Sequence, residues 1–240
     1  MPRYLAKLLE RKETAEGTMA FYFGKPEGFQ FKAGQFLNFT LVNPPETDPE
    51  GNTRTFSIAS APFENDLMVA TRMRDTAFKR VWKTMPLKTE SRLEGPYGSL
   101  TLHQDAVRPA VFLAGGIGIT PFRSIILHAH RANLNHRRFL FYSNRRPEDA
   151  PFLAELQALA RENARFTFVG TMTEMQKSQR PWSGETGYVN RAMLDRIVGD
   201  LAAPVYYIAG PPGMVAAMQD LLTGAGVSED FIRAEEFAGY

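Results

Sequence analysis

The 240-residue chain contains no cysteine. That excludes disulfides, a cysteine-ligated zinc and an iron–sulfur cluster of its own. No stretch approaches the roughly 18 apolar residues of a membrane span. The opening MPRYLAKLLERKE is charged throughout and lacks the apolar core of a signal peptide. Charge of one sign is also scarce: a formal net charge of +2 argues for neither nucleic acid nor a membrane surface. The four histidines, His103, His128, His130 and His136, have no acidic companions at metal spacing, so no metal site is expected. There is no P-loop, no Gly-x-Ser-x-Gly elbow and no His-Glu-x-x-His. What remains is an ordinary soluble globular composition, 44% hydrophobic and 22% charged; with no apolar leader or span, a cytoplasmic protein is expected, taken as a monomer.

The chain changes character near residue 105. Before it, short β-rich runs alternate with turn residues: Tyr4 to Leu9, Thr18 to Phe23, Phe36 to Leu41, Thr55 to Ala59 and Leu67 to Thr71. Many short strands punctuated by Gly and Pro predict an antiparallel barrel, interrupted by one helix over Thr76 to Met85. After it, strands and helices alternate. Strands are predicted at Ala110–Ala114, Phe139–Tyr142, Phe166–Gly170 and Val205–Ala209. Helices are predicted at Pro121–Arg131, Pro147–Arg161, Asn190–Val198 and Pro212–Leu222. This rhythm predicts a parallel sheet with helices on both faces. The expected division is 1–104 for the barrel and 105–240 for the α/β domain.

Ala114-Gly115-Gly116-Ile117-Gly118-Ile119-Thr120-Pro121 follows the first of these parallel strands and opens a helix. Glycines let backbone N–H groups approach a phosphate, Thr120 suits an N-cap and Pro121 the first helical position. A helix N-terminus favours an anion. The same residues also suit a plain tight turn. The other strand ends carry Ser143-Asn144-Arg145-Arg146, Gly170-Thr171-Met172-Thr173 and Gly210-Pro211-Pro212-Gly213-Met214, so small and polar residues recur where α/β folds bind ligands. In the barrel, Arg54-Thr55-Phe56-Ser57 puts Arg54 and Phe56 on one face and Thr55 and Ser57 on the other. Such a strand could stack a ring, hold a phosphate and donate a hydrogen bond, or be an ordinary barrel strand.

Taken together, RTFS, Gly95-Pro96-Tyr97-Gly98, AGGIGITP, IAGPPGM and the ending EEFAGY resemble the ferredoxin–NAD(P)H reductase superfamily over nearly the whole chain. The resemblance implies an antiparallel Greek-key flavin barrel followed by a nucleotide-binding α/β domain, and hydride transfer between NAD(P)H and FAD. It implies that Arg54 binds the flavin diphosphate, Phe56 lies along the ring and Ser57 hydrogen-bonds near N5. Thr55, Thr71, Arg72, Met73 and Thr76 join the flavin site; Thr76 takes the place of a serine that often starts the next helix, which favours FAD over FMN. Gly116, Gly118, Thr120 and Pro121 would hold the dinucleotide, with Ser143, Asn144 and Arg145 at the second strand end. Gly210, Pro211 and Met214 would border the nicotinamide. Glu236 and Phe237, or the terminal Tyr240, would stand at the flavin face where the nicotinamide enters.

Arg145 and Arg146, with no acid before Glu148, favour NADP over NAD. Between Thr71 and Arg92, Arg72, Arg74, Lys79, Arg80, Lys83, Lys88 and Arg92 outnumber Asp75 and Glu90. A basic face of this kind would steer an acidic carrier such as ferredoxin or flavodoxin. The competing readings are a non-catalytic flavin electron-transfer subunit and a reductase serving an oxygenase or free flavin.

Overall fold

Alternation of buried and solvent-facing residues shapes the first half of the molecule, seen in a computed structural model that describes residues 2–237. Strand β3 (Phe36–Leu41) buries every second residue, Leu37, Phe39 and Leu41, as a half-covered antiparallel strand must. It joins β1 (Arg3–Ala15), β2 (Thr18–Gly24), β4 (Thr53–Ser57), β5 (Asp66–Arg72) and β6 (Glu90–Tyr97). Together they form a six-stranded antiparallel half-barrel in the order β4-β3-β6-β1-β2-β5. Helix α1 (Ala77–Thr84) plugs it. The Thr76 hydroxyl caps α1 by accepting from the Lys79 N–H at 3.3 Å. Trp82, fully buried on the inner face of α1, meets the rings of Phe21, Phe23, Phe39, Phe56 and Phe78 at centroid distances of 4.7–5.5 Å.

A wholly apolar run shapes the second half. Strand β7 (Ala110–Gly115) is buried from end to end, the mark of a parallel strand covered on both faces. With β8 (Arg138–Asn144), β9 (Phe166–Met172), β10 (Glu185–Thr186), β11 (Val205–Gly210) and β12 (Ile232–Glu236) it forms an all-parallel sheet. Helices α2 (Ile119–Arg131) and α3 (Leu153–Glu162) pack on one face, α4 (Arg191–Ile197) and α5 (Pro212–Gly224) on the other. The strand order β10-β9-β8-β7-β11-β12 reverses direction at β7. The loops after β7 and β11 therefore part at the carboxyl end of the sheet and leave a crevice. Among the described residues no helix is long and apolar enough to cross a membrane.

Several elements differ from expectation. Strand β6, absent from the predicted strands, runs through Gly95-Pro96-Tyr97. The acidic tail is a strand, β12, paired to β11. The single helix expected over Pro147–Arg161 is broken: Pro147–Asp149 forms one 3-10 turn, and Phe152 takes a left-handed φ of 60° before α3 begins.

The two sheets are fastened to each other on α2. The Arg123 guanidinium, its side chain 7% exposed, donates to Glu155 from α3 at 2.7 Å and to Glu64 of the half-barrel at 3.0 Å. It also donates to the Ala59 carbonyl at 2.8 Å, and the Ser124 hydroxyl donates to the Ser60 carbonyl at 2.7 Å. Ile117 packs against Ala59, Met68 and Ala70 beside these bonds. The glycine loop is thereby held against the end of β4.

Candidate functional site

The crevice opens into two adjoining cavities. The first, about 340 Å³, lies between the half-barrel and the sheet. Phe36, Thr55, Phe56, Ser57 and Ala70 line it from the half-barrel; Ile117, Thr120, Glu235, Glu236 and Phe237 line it from the other side. The second, about 290 Å³, sits over the ends of β7, β8, β9 and β11. Gly116, Ser143, Asn144, Arg145, Pro211 and Met214 line it, as does Arg72 from β5. Ile117 and Phe237 belong to both walls. The Phe237 N–H donates to the Gly210 carbonyl at 2.9 Å, which fixes the tail at the meeting point.

Ser57 reaches the first cavity at the end of β4, 9% exposed and opposite Phe36 in the β3–β4 pairing. Thr55, two residues earlier on the same face, donates to the Asn38 side chain at 2.6 Å. Glu235 and Glu236 point to opposite sides of β12, and Glu235 is the more buried. Burial pushes the Glu235 carboxyl up to about 7. A carboxyl that titrates near neutrality on the wall of the cavity that Ser57 also lines can hold or release a proton there.

In the second cavity, Gly116 has φ +53° and open space where a Cβ would stand. Its backbone is therefore bare toward the cavity, as a phosphate cradle needs. Asn144 is 6% exposed, and among the described residues its amide has no partner in good hydrogen-bond geometry beyond a side-chain interaction with the Tyr142 hydroxyl. A buried, poorly matched amide on a cavity wall suits a polar ligand. Tyr188, 79% exposed, adds an aromatic face to the same wall.

Several expected residues are placed differently. The Phe56 ring is 5% exposed and stacks on Trp82 at 4.7 Å, so it packs in the barrel core as well as lining the first cavity. Thr120 does not cap α2; the helix begins at Ile119, and the Thr120 hydroxyl donates to the Ile117 carbonyl at 3.0 Å on the first cavity's side. Pro121 accordingly sits within the first turn and not at its opening position. Gly118 is glycine for packing: a Cβ there would stand 2.1 Å from the Ala209 carbonyl oxygen. Thr71 is fully buried, and Met73 packs on the barrel core. Arg72 pairs with Asp149 at 3.4 Å across the crevice. Arg146 turns away to Asp149 and Glu16, leaving Arg145, 68% exposed and 3.7 Å from Glu174. Arg54 is folded against Asp48 and Glu50. Tyr240 lies outside the described residues.

Phe36, Tyr188 and Asp48 were not singled out by the sequence, and Glu235 entered only with Glu236 in the ending EEFAGY. An Glu-Glu pair on a strand does signal that one of the two faces inward, but only once the tail is recognised as a strand.

Comparison with known proteins accords with this geometry. A family model, the oxidoreductase NAD-binding domain, matches residues 112–220. The chain is 31% identical over 230 residues to a ferredoxin–NADP reductase B from Sorangium cellulosum, covering 91% of this chain and 90% of that protein. It is 29% identical over 220 residues to the reductase component of a propane 2-monooxygenase from Rhodococcus jostii, covering 89% of this chain but only 57% of that protein. The fold matches a ferredoxin NADP+ reductase from Neisseria gonorrhoeae with bound FAD and NADP, with a TM-score of 0.80 and 24% identity over 98% of both chains.

Proposed function

The chain belongs to the ferredoxin–NAD(P)H reductase superfamily, and from that premise we propose that it is an FAD-dependent NAD(P)H oxidoreductase that hands electrons to an external acceptor. The observation that carries this reading is the junction of two cavities at Phe237 and Ile117. Two rings that exchange a hydride must be stacked out of water, and only adjoining sites allow it.

In this reading residues 1–104 hold the flavin and 105–240 the nucleotide. The first cavity fits the flavin ring end: it has a hydroxyl at Ser57, a threonine at Thr55 and an apolar wall at Ala70 and Ile117. Bound FAD would supply the redox chemistry, taking up a hydride and passing electrons on singly. Ser57 would donate toward the ring held there, and Glu235 would hold a proton at the same cavity. Phe237 would stand where the nicotinamide must enter and would have to yield for it. Arg54 and the α1 N-terminus would be the donors for the flavin phosphates. Gly116 receives the nucleotide's diphosphate, Asn144 a ribose hydroxyl, and Tyr188 the adenine face. With Arg146 withdrawn and Glu174 on the same wall, the case for NADP narrows to Arg145.

The acceptor is a protein carrier such as ferredoxin or flavodoxin. The basic stretch that would steer it is thinner than its composition suggests. Arg72 and Arg80 are paired, and Lys79 is 8% exposed and donates to the Arg72 carbonyl. Arg74, Lys83, Lys88 and Arg92 remain exposed. The likeness to the Rhodococcus reductase component favours a second reading, in which the acceptor is an oxygenase component. The deciding experiment loads the purified protein with FAD and offers NADH or NADPH with ferredoxin, flavodoxin or ferricyanide. Nucleotide oxidation that depends on added FAD supports the proposal. Failure to bind FAD, or no oxidation with any acceptor, overturns it.

A further inference from the structure

The donors assigned above to the flavin phosphates are engaged by one of the chain's own carboxylates. Asp48 lies in the loop between β3 and β4. Its Oδ1 accepts from Arg54 Nη2 at 2.9 Å and from the Glu50 N–H at 3.1 Å. Its Oδ2 accepts from the N–H of Ala77, the first residue of α1, at 3.1 Å. One carboxylate thus joins the guanidinium to the helix N-terminus. Glu50 adds a second carboxylate oxygen 3.0 Å from Arg54 Nη2. Arg54 Nη1 is spent on the loop as well, donating to the carbonyls of Glu50, Gly51 and Thr53 at 2.8–3.0 Å.

A phosphate asks for the same donors as this carboxylate: a forked guanidinium and a free N–H at a helix start. Both cannot be served at once, and two anions held side by side repel more strongly as solvent is excluded. We propose that Asp48 is a resident counter-ion of the flavin-phosphate cradle, which the cofactor's phosphate displaces on binding, so that Asp48 sets how tightly flavin is held. The inference rests on the flavin reading above. The opposite role, a brace that readies Arg54 for phosphate, would make Asp48 strengthen binding. The two differ in sign.

The test titrates apo-protein with FAD, FMN and riboflavin, reading quenching of flavin fluorescence. Asp48→Asn removes the charge and keeps one acceptor oxygen, which can serve Arg54 or the Ala77 N–H. FAD and FMN should bind at least about tenfold more tightly to the variant, about 1.4 kcal/mol. Riboflavin, which has no phosphate, should bind as it does to wild type. Unchanged or weaker FAD binding overturns the proposal, as does an equal gain for riboflavin. If wild type binds none of the three, the flavin reading falls with it.

Hydrogen exchange on wild type gives a second measurement, independent of whether the variant folds. On adding FAD, the amides of residues 46–52 should exchange faster while those at the start of α1 slow. Slower exchange across the loop would overturn displacement.

Discussion

Replacing Arg123 by methionine tests whether the two halves of the crevice are held in register by one buried cation. Methionine keeps most of the apolar stem and removes the guanidinium. Arg123 makes paired contacts to Glu155 at 2.7 Å and to Glu64 at 3.0 and 3.2 Å, plus one to the Ala59 carbonyl. Breaking a fully buried ion pair by removing one partner costs about 3–5 kcal/mol. Here the abandoned carboxylates are 29% and 37% exposed and regain water, so the cost falls to about 2–4 kcal/mol. For a chain of this length that lowers the thermal midpoint by about 4–16 °C. The assay is thermal unfolding followed by circular dichroism, repeated on Arg123→Met combined with Glu64→Gln and Glu155→Gln. Neutralising the whole cluster should recover much of the loss, because no buried charge is then left alone. A midpoint within about 1 °C of wild type, or no recovery in the combined variant, refutes the clamp.

Other consequences follow from single contacts. Burial raises the Glu235 carboxyl from 4.5 to about 7, so the folded chain holds a proton there that the unfolded chain has already released. Stability is therefore lost as pH rises through that window, and Glu235→Gln should equal wild type in acid and exceed it above pH about 7 in denaturant titrations. Gly118→Ala drives a Cβ to 2.1 Å from the Ala209 carbonyl oxygen and should cost about 1–3 kcal/mol with loss of nucleotide affinity. Gly116→Ala has open space and should cost only the left-handed backbone, about 1–2 kcal/mol in the same melt. Tyr188→Ala removes an exposed ring from the nucleotide wall and should raise KM about tenfold with kcat retained, since stacking on a base contributes about 1–3 kcal/mol.

Much of the architecture is legible in local pattern. The β3 boundaries, Phe36 and Leu41, follow from alternation alone, and the short β7 run Ala110-Val111-Phe112-Leu113-Ala114, bounded by Pro109 and Gly115, reads as a covered strand. Alternation also placed Arg54 and Phe56 on one face, where both meet Phe78. It could not say which face is the core, because Trp82, the residue that decides it, arrives from a helix elsewhere in the chain. The start of α2 moved for a similar reason. Gly118 is pressed on the Ala209 backbone, residues 116–118 coil into a 3-10 turn, and the helix opens before Thr120 can cap it. The break before α3 accompanies ion pairs of Asp149 with Arg72 and Arg146, one of them from the other sheet. Glu235 and Glu236 are alike in sequence; pairing of β12 with β11 distinguishes them.

The central claim is that hydride crosses where the two cavities meet at Phe237. Single-turnover mixing of FAD-loaded protein with NADH or NADPH, without oxygen, tests it most directly. At least one nucleotide should bleach the flavin, and deuterium at the transferred position should slow the bleaching once Phe237→Ala removes the shielding ring. A bound flavin that stays yellow with both nucleotides, in wild type and variant alike, would contradict it.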